Sequence, residues 1–185
     1  MASQGNISDQ DKAMEHVKGL IRCFQDFPKP GISFKDICPI LKDPCTLKTV
    51  TDVTSDHIRK NVGQIDAIIG LEARGFLFGP QIAMNLGIAF IPIRKSGKLP
   101  GPTIKVSYSK EYGEDVFEMQ EDALKPGQKV VVFDDLIATG GTLVAACDLV
   151  KSAGCEVKQC IALLELEELN GKAKLSVPCH VLIKL

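Results

Sequence analysis

The sequence predicts an α/β domain built on a mostly parallel, twisted sheet flanked by helices, and three observations predict it. Four short runs, 65–71, 88–93, 129–133 and 159–164, carry apolar residues at consecutive positions, as strands buried on both faces do. Stretches of helical period, 80–86 and 142–152, alternate with them, and that alternation marks a sheet covered on both sides. The chain has 185 residues, 45% hydrophobic and 24% charged, enough to bury one core without disulfide or metal staples.

Each element has a local reason. Ser8 and Asp11 resemble a capping box, and Ala13, Met14, Val17, Leu20, Ile21 and Phe24 recur at helical spacing, predicting an amphipathic first helix. FPKPG at 27–31 should stop it, because two prolines deny backbone donors. Asp43 and Pro44 suit an N-cap and first helical position, with Leu47, Val50, Val53 and Ile58 as the buried stripe of a second helix. The helix at 142–152 carries Leu143, Ala146, Leu149 and Val150 and ends before Gly154. Between these lies an exception: 103–108 and 116–120 alternate apolar with polar residues around SKEYGED, as an antiparallel hairpin or long flap does. No repeat or linker interrupts the chain, so 1–185 reads as a single domain.

Composition excludes several function classes. With 22 Lys+Arg against 23 Asp+Glu the net charge is -1, which argues against gripping nucleic acid through a global field. The N-terminus MASQGNISDQDK is polar, and no apolar run approaches the ~20 residues of a membrane span, so no membrane partner is expected. Seven cysteines form no CxxC pair, which signals neither a zinc ribbon nor a redox motif. A reducing compartment, most simply cytoplasmic, follows. His16, His57 and His180 show no ligand or triad spacing and read as packing or surface.

The chemistry gathers in KVVVFDDLIATGGT, Lys129 to Thr142. A buried strand ends in Asp134 and Asp135, and a loop with Thr139, Gly140 and Gly141 leads to a helix at Thr142. Ligands of open α/β sheets sit at the carboxyl ends of strands, and a helix N-terminus offers unpaired N–H groups, which suits a phosphate. The GxxxxGK[ST] lysine and the GxGxxG spacing are both absent, so neither nucleoside-triphosphate hydrolysis nor dinucleotide binding is favoured. Adjacent strand residues point to opposite sides, so one aspartate can bond sugar hydroxyls while the other faces structure or solvent. Arg94, Lys95, Lys98 and Lys105 have no acid among them, whereas 106–122 holds six acids and one lysine. Such a flap fits a lid over an anionic substrate, or a solvated surface hairpin.

VVVFDDLIATGGT resembles the 13-residue phosphoribosyl diphosphate signature of the type I phosphoribosyltransferases. FPKPGISFKDI (27–37), GLEARGFLFGP (70–80), IRKSGKLPGPT (93–103) and YSKEYGEDVFEMQEDALKPG (108–127) are similar to the adenine-using members, the adenine phosphoribosyltransferases. The resemblance spans about 24–166. It implies the type I fold, with an N-terminal helix and base-binding hood at about 8–42 and a flexible catalytic flap at about 97–120. It implies purine salvage: ribose 5-phosphate passes from 5-phosphoribosyl 1-diphosphate (PRPP) to N9 of adenine, giving AMP and diphosphate. Mg2+ would be carried by PRPP with no direct protein ligand, and a homodimer is implied.

On matching positions the resemblance assigns Asp134 and Asp135 to the ribose, and Ala138, Thr139, Gly140, Gly141 and Thr142 to the 5′-phosphate. Arg74, Arg94, Lys95, Lys98 and Tyr112 fall at diphosphate, and Ser33, Phe34, Lys35 and Leu166 at adenine. Elementary chemistry agrees. Departure of diphosphate leaves an oxocarbenium-like centre, so cations must surround the leaving oxygens and water must be kept out. Attack by N9 makes another ring proton acidic, and a base near N7 would help by ~10²–10⁴-fold. The hypoxanthine- and guanine-using relatives place an Asp in the phosphate loop where this chain has Ala138, which leaves Glu111 on the flap as the catalytic candidate. Phe34 can stack on a base or fill a rigid turn. Relatives often carry Arg at Lys35, so a backbone contact there would survive where a guanidinium contact would not. The same fold acting on another base, and a PRPP-sensing regulator without turnover, are the competing readings.

Overall fold

Strand–helix alternation becomes a seven-stranded sheet. The computed structural model describes residues 9–110 and 113–185, in two units that divide after Val53.

In the first unit, α1 (Asp9–Gly19) stops earlier than its periodicity predicts. Leu20 and Ile21 donate backbone bonds to Val17 and Lys18 at 3.1 and 3.2 Å, closing the last turn. Arg22–Phe24 then runs as β1, antiparallel to β2 (Phe34–Asp36), with Arg22 opposite Asp36, Cys23 opposite Lys35 and Phe24 opposite Phe34. The expected helical continuation to Phe24 is therefore wrong. Pairing with a strand ten residues away, reinforced by Arg22 Nε donating to Asp36 Oδ2 at 2.9 Å, overrides a weak local preference. A short helix that local patterning did not signal, α2 (Cys38–Lys42), precedes α3 (Pro44–His57). Asp43 caps α3 as expected, accepting the N–H groups of Cys45 and Thr46, both at 3.1 Å.

In the second unit a turn at Ile58–Val62 leads to β3 (Ala67–Leu71), α4 (Gly79–Leu86) and β4 (Ala89–Lys95). The hairpin β5 (Thr103–Lys110) and β6 (Gly113–Gln120) follows, then β7 (Lys129–Ile137), α5 (Gly141–Ser152), β8 (Glu156–Glu165) and β9 (Cys179–Lys184). The strand order is β5-β6-β4-β3-β7-β8-β9; β4 to β9 in that order are parallel, and β6 and β5 are antiparallel. All four apolar runs are strands of this sheet, and the alternating stretch is the hairpin. One face packs under α5, where Val130, Val132, Ala146, Leu149 and Cys160 are buried together.

This topology places the site. β3 pairs with β7 in parallel, Gly70 opposite Phe133, so the segments that leave both strands at their carboxyl ends emerge side by side. Gly75, in the turn after β3, lies so near β7 that an added methyl would sit 2.9 Å from the Phe133 carbonyl oxygen.

Candidate active site

A cleft of about 280 Å³ opens at the carboxyl ends of β3 and β7. Asp134, Asp135, Arg74 and Lys95 line it, with the loop residues Ala138, Thr139, Gly140 and Thr142. The two segments that the sequence singled out separately therefore face one cavity. Gly140 has φ +81°, a left-handed conformation that glycine adopts without strain, and it turns the chain from β7 into α5. Its carbonyl accepts the N–H of Val144 at 3.0 Å, the first bond of the helix, and the N–H groups of the first turn have no acceptor within the helix.

Both aspartates are buried, against the expectation that one could face solvent. Asp134 Oδ1 accepts the N–H of Asp135 at 2.9 Å. Arg74 Nε stands 2.9 Å from Asp135 Oδ2 as an ion contact, and that buried oxygen accepts no hydrogen bond. Burial, then the neighbouring Asp135, pushes the Asp134 carboxyl well above the ordinary carboxylate range. Burial also raises Asp135, with the Arg74 charge opposing. A buried pair beside one guanidinium can hold polar ligand groups, such as sugar hydroxyls, as hydrogen-bond partners.

Two carboxylates that the sequence reading passed over organise the basic segment. Glu72 accepts from Arg94 Nε at 3.1 Å, from the Lys95 N–H at 3.1 Å and from Lys98 Nζ. Glu118, 1% exposed, accepts the N–H groups of Lys98 and Leu99 at 2.8 and 2.9 Å, and Lys105 Nζ lies 3.5 Å away. Lys95 Nζ lies 3.4 Å from Asp115 Oδ2, to which Tyr108 also donates at 3.3 Å. Of the expected diphosphate contacts, Arg74 and Lys95 line the cleft and Arg94 and Lys98 do not. Glu72 was legible only in that it directly precedes Ala73 and Arg74; Glu118 is an acid of the flap whose burial no local pattern shows.

Gly171 is a further missed residue. It lies in the turn Gly171–Lys174 after β8, and an added methyl would sit 2.1 Å from the Ala138 carbonyl oxygen. Asn170-Gly171 is a turn signal in the sequence, with nothing local to tie it to the phosphate loop. Gly141 is the first residue of α5 and does not line the cleft. Leu166 follows β8 half-buried, its N–H donated to the Ile137 carbonyl at 3.0 Å, beside the start of that loop.

The expected adenine segment lies in the first unit. Phe34 meets Phe27 edge-on, centroids 5.1 Å apart, and with Phe24 and Asp36 lines an open groove. Strand alternation turns Ser33 and Lys35 to the other face, where Lys35 Nζ donates to Ser33 Oγ at 3.2 Å and to Cys23 Sγ at 3.4 Å. Glu111 and Tyr112 lie outside the described residues.

Known proteins match this arrangement. The family model "Phosphoribosyl transferase domain" matches residues 39–178. An adenine phosphoribosyltransferase of Caenorhabditis elegans is 53% identical over 165 residues, 89% of this chain and 89% of the relative. The Homo sapiens adenine phosphoribosyltransferase is 49% identical over 176 residues, 94% of this chain and 98% of the relative. The Saccharomyces cerevisiae adenine phosphoribosyltransferase, solved with an imino-altritol bisphosphate and adenine, superposes with a TM-score of 0.90 at 40% identity, covering 93% of this chain and 99% of that one.

Proposed function

The chain belongs to the phosphoribosyl transferase family, and from that premise we propose how its residues divide the adenine phosphoribosyltransferase reaction. It is a glycosyltransferase of purine salvage that moves ribose 5-phosphate from PRPP to N9 of adenine and releases AMP and diphosphate. The observation that carries the assignment is the single cleft shared by the Asp134–Asp135 strand end, the loop 138–142 and Arg74.

In this reading Ala138, Thr139, Gly140, Gly141 and Thr142 hold the 5′-phosphate against the N-terminus of α5, whose free N–H groups and partial positive charge match it. Asp134 and Asp135 accept the ribose hydroxyls, and the unbonded Asp135 Oδ2 supports that role. Arg74 and Lys95 meet the diphosphate from within the cleft, joined by Arg94, Lys98 and Tyr112. Phe34 stacks on adenine, Leu166 covers the opposite ring face, and backbone groups around Ser33 and Lys35 read the N6 donor and N1 acceptor. Glu111 takes the ring proton as N9 attacks. Mg2+ would be carried by PRPP without a direct protein ligand, with Asp134 and Asp135 as acidic groups of the cleft suited to its hydration shell; bound there it would offset the charge of the leaving group.

The working assembly is a homodimer, an inference supported by the exposed apolar side chains Leu77, just before α4, and Met84, within it, at 42% and 77% exposure. The compartment is the cytoplasm, supported by seven free thiols. Among the described residues no helix is long and apolar enough to cross a membrane.

The test is a product assay with purified protein, PRPP and Mg2+, offering adenine, hypoxanthine, guanine and orotate separately. AMP from adenine alone is expected. Nucleotide from another base would overturn the pocket assignment, and PRPP binding without turnover would favour a regulator.

A further inference from the structure

Each of the four cations expected at diphosphate already faces a carboxylate: Arg74 meets Asp135, Lys95 meets Asp115, and Arg94 and Lys98 both meet Glu72. Glu72 differs from the other acids in its placement. It lines the cleft, whereas the two cations bonded to it do not. A ligand in that cleft therefore competes with Glu72 for the donors of Arg94 and Lys98.

The hold is tight. The Glu72 side chain is 11% exposed and accepts Arg94 Nε at 3.1 Å, Arg94 Nη2 at 3.4 Å, the Lys95 N–H at 3.1 Å and Lys98 Nζ. Burial is the largest influence and disfavours its charge, but the bonds from Lys98, Arg94 and Lys95 outweigh it together and keep the carboxyl below its ordinary range. Glu72 is therefore an anion at neutral pH. A carboxylate and the oxygens of a diphosphate present the same feature to a guanidinium and an ammonium: paired anionic acceptors.

We propose that Glu72 is a positioning residue that acts through Arg94 and Lys98. Its carboxylate holds both cations while the cleft lacks diphosphate, gives them up to diphosphate oxygens when PRPP binds, and takes them back as diphosphate leaves. The inference rests on reading this cleft as the diphosphate site. It makes Glu72 a resident competitor of the leaving group: its charge weakens diphosphate binding and hastens product release. A glutamine at this position can keep one oxygen toward the Lys95 N–H, removes the competing charge, and offers the cations an NH2 donor in place of an acceptor.

The experiment uses the full chain with Glu72→Gln, Glu72→Asp, Arg94→Ala and Arg74→Ala, and measures binding of inorganic diphosphate by calorimetry with kcat and both KM values. Glu72→Gln should bind diphosphate about tenfold more tightly, the scale of removing one like charge beside an ion site. KM for PRPP should fall, kcat should fall as release slows, and KM for adenine should stay unchanged. Glu72→Asp, which keeps the charge, should return these values toward those of the parent. Damage to the fold does not tighten a ligand, and Glu72→Ala repeats the charge removal should the glutamine variant fail to fold. Diphosphate binding unchanged or weakened in both neutral variants, with Arg94→Ala weakening it, overturns the inference alone. Diphosphate binding unaffected by Arg94→Ala also overturns the inference, and binding unaffected by Arg74→Ala, a cation that lines the cleft, overturns the diphosphate reading instead.

Discussion

Gly140 and Gly171 touch backbone to backbone: a methyl on Gly140 would lie 2.2 Å from the Gly171 carbonyl oxygen, and one on Gly171 would lie 2.7 Å from the Gly140 nitrogen. The turn after β8 thus props the phosphate loop from behind, and neither residue tolerates a side chain.

Gly171→Ala must push the loop aside. Overpacking of this kind costs about 1–3 kcal/mol, and the displaced N–H groups should raise KM for PRPP far more than KM for adenine. Thermal unfolding and steady-state kinetics check it; a normal KM for PRPP would show that the loop does not depend on this prop.

Phe34 and Lys35 are neighbours on opposite faces of β2, so their substitutions should separate. Phe34→Ala should raise KM for adenine by about tenfold, within the ~1–3 kcal/mol typical of stacking a base on an aromatic ring. Lys35→Ala should leave it near the parent value, because its Nζ is turned toward Ser33 and Cys23. Equal effects would place the base elsewhere.

Glu111→Gln should lower kcat by ~10²–10⁴-fold with little change in either KM, the signature of a lost proton acceptor. Unchanged kcat would remove Glu111 from the mechanism.

Glu118 ties the basic segment to β6, and its carboxyl is held down to about 2. Burial opposes its charge most, and the N–H groups of Leu99, Gly97 and Lys98 and the charge of Lys105 more than offset it. The folded value lies below the unfolded one, so its stabilisation is complete above the ordinary value of 4.5 and is lost as pH falls from there toward about 2. Glu118→Gln should lower Tm at neutral pH and flatten the fall of Tm in that acid window. A parallel fall in both proteins would contradict the network.

His57 and His180, which had no shared spacing in the sequence, stack face to face with centroids 3.6 Å apart, and His57 Nε2 lies 2.8 Å from Gln159 Oε1. Burial first, then the charges of His57 and Lys172, lowers His180 to about 4. Protonation therefore favours the unfolded chain: this contribution is whole above the ordinary value of 6.5 and is lost as pH falls toward about 4. Proton NMR should find His180 titrating near the lower value, and a midpoint at 6.5 would contradict the stack.

What was legible in the sequence was local. The four sheet runs, the Asp43 cap and the Asp134–Asp135 end followed by the glycine loop each depend on residues within one or two turns of chain, where backbone preference and apolar period act directly. Arg22–Phe24 was misread because helical spacing and a three-residue strand leave similar traces, and only its distant partner separates them. Glu72 and Glu118 went unremarked because burial is set by what the sheet brings near them.

Local patterning suffices for the alternation of strands and helices, and with it a phosphate-sized loop at a strand end. That Gly171 supports that loop, that Arg74 meets Asp135 across two strand ends, and that Arg94 and Lys98 rest on Glu72 emerges with the folded sheet. The difference is one of range: torsional preference and periodicity act between neighbours in the chain, whereas close backbone approach and ion pairing act between neighbours in space, which the parallel register of β3 and β7 creates.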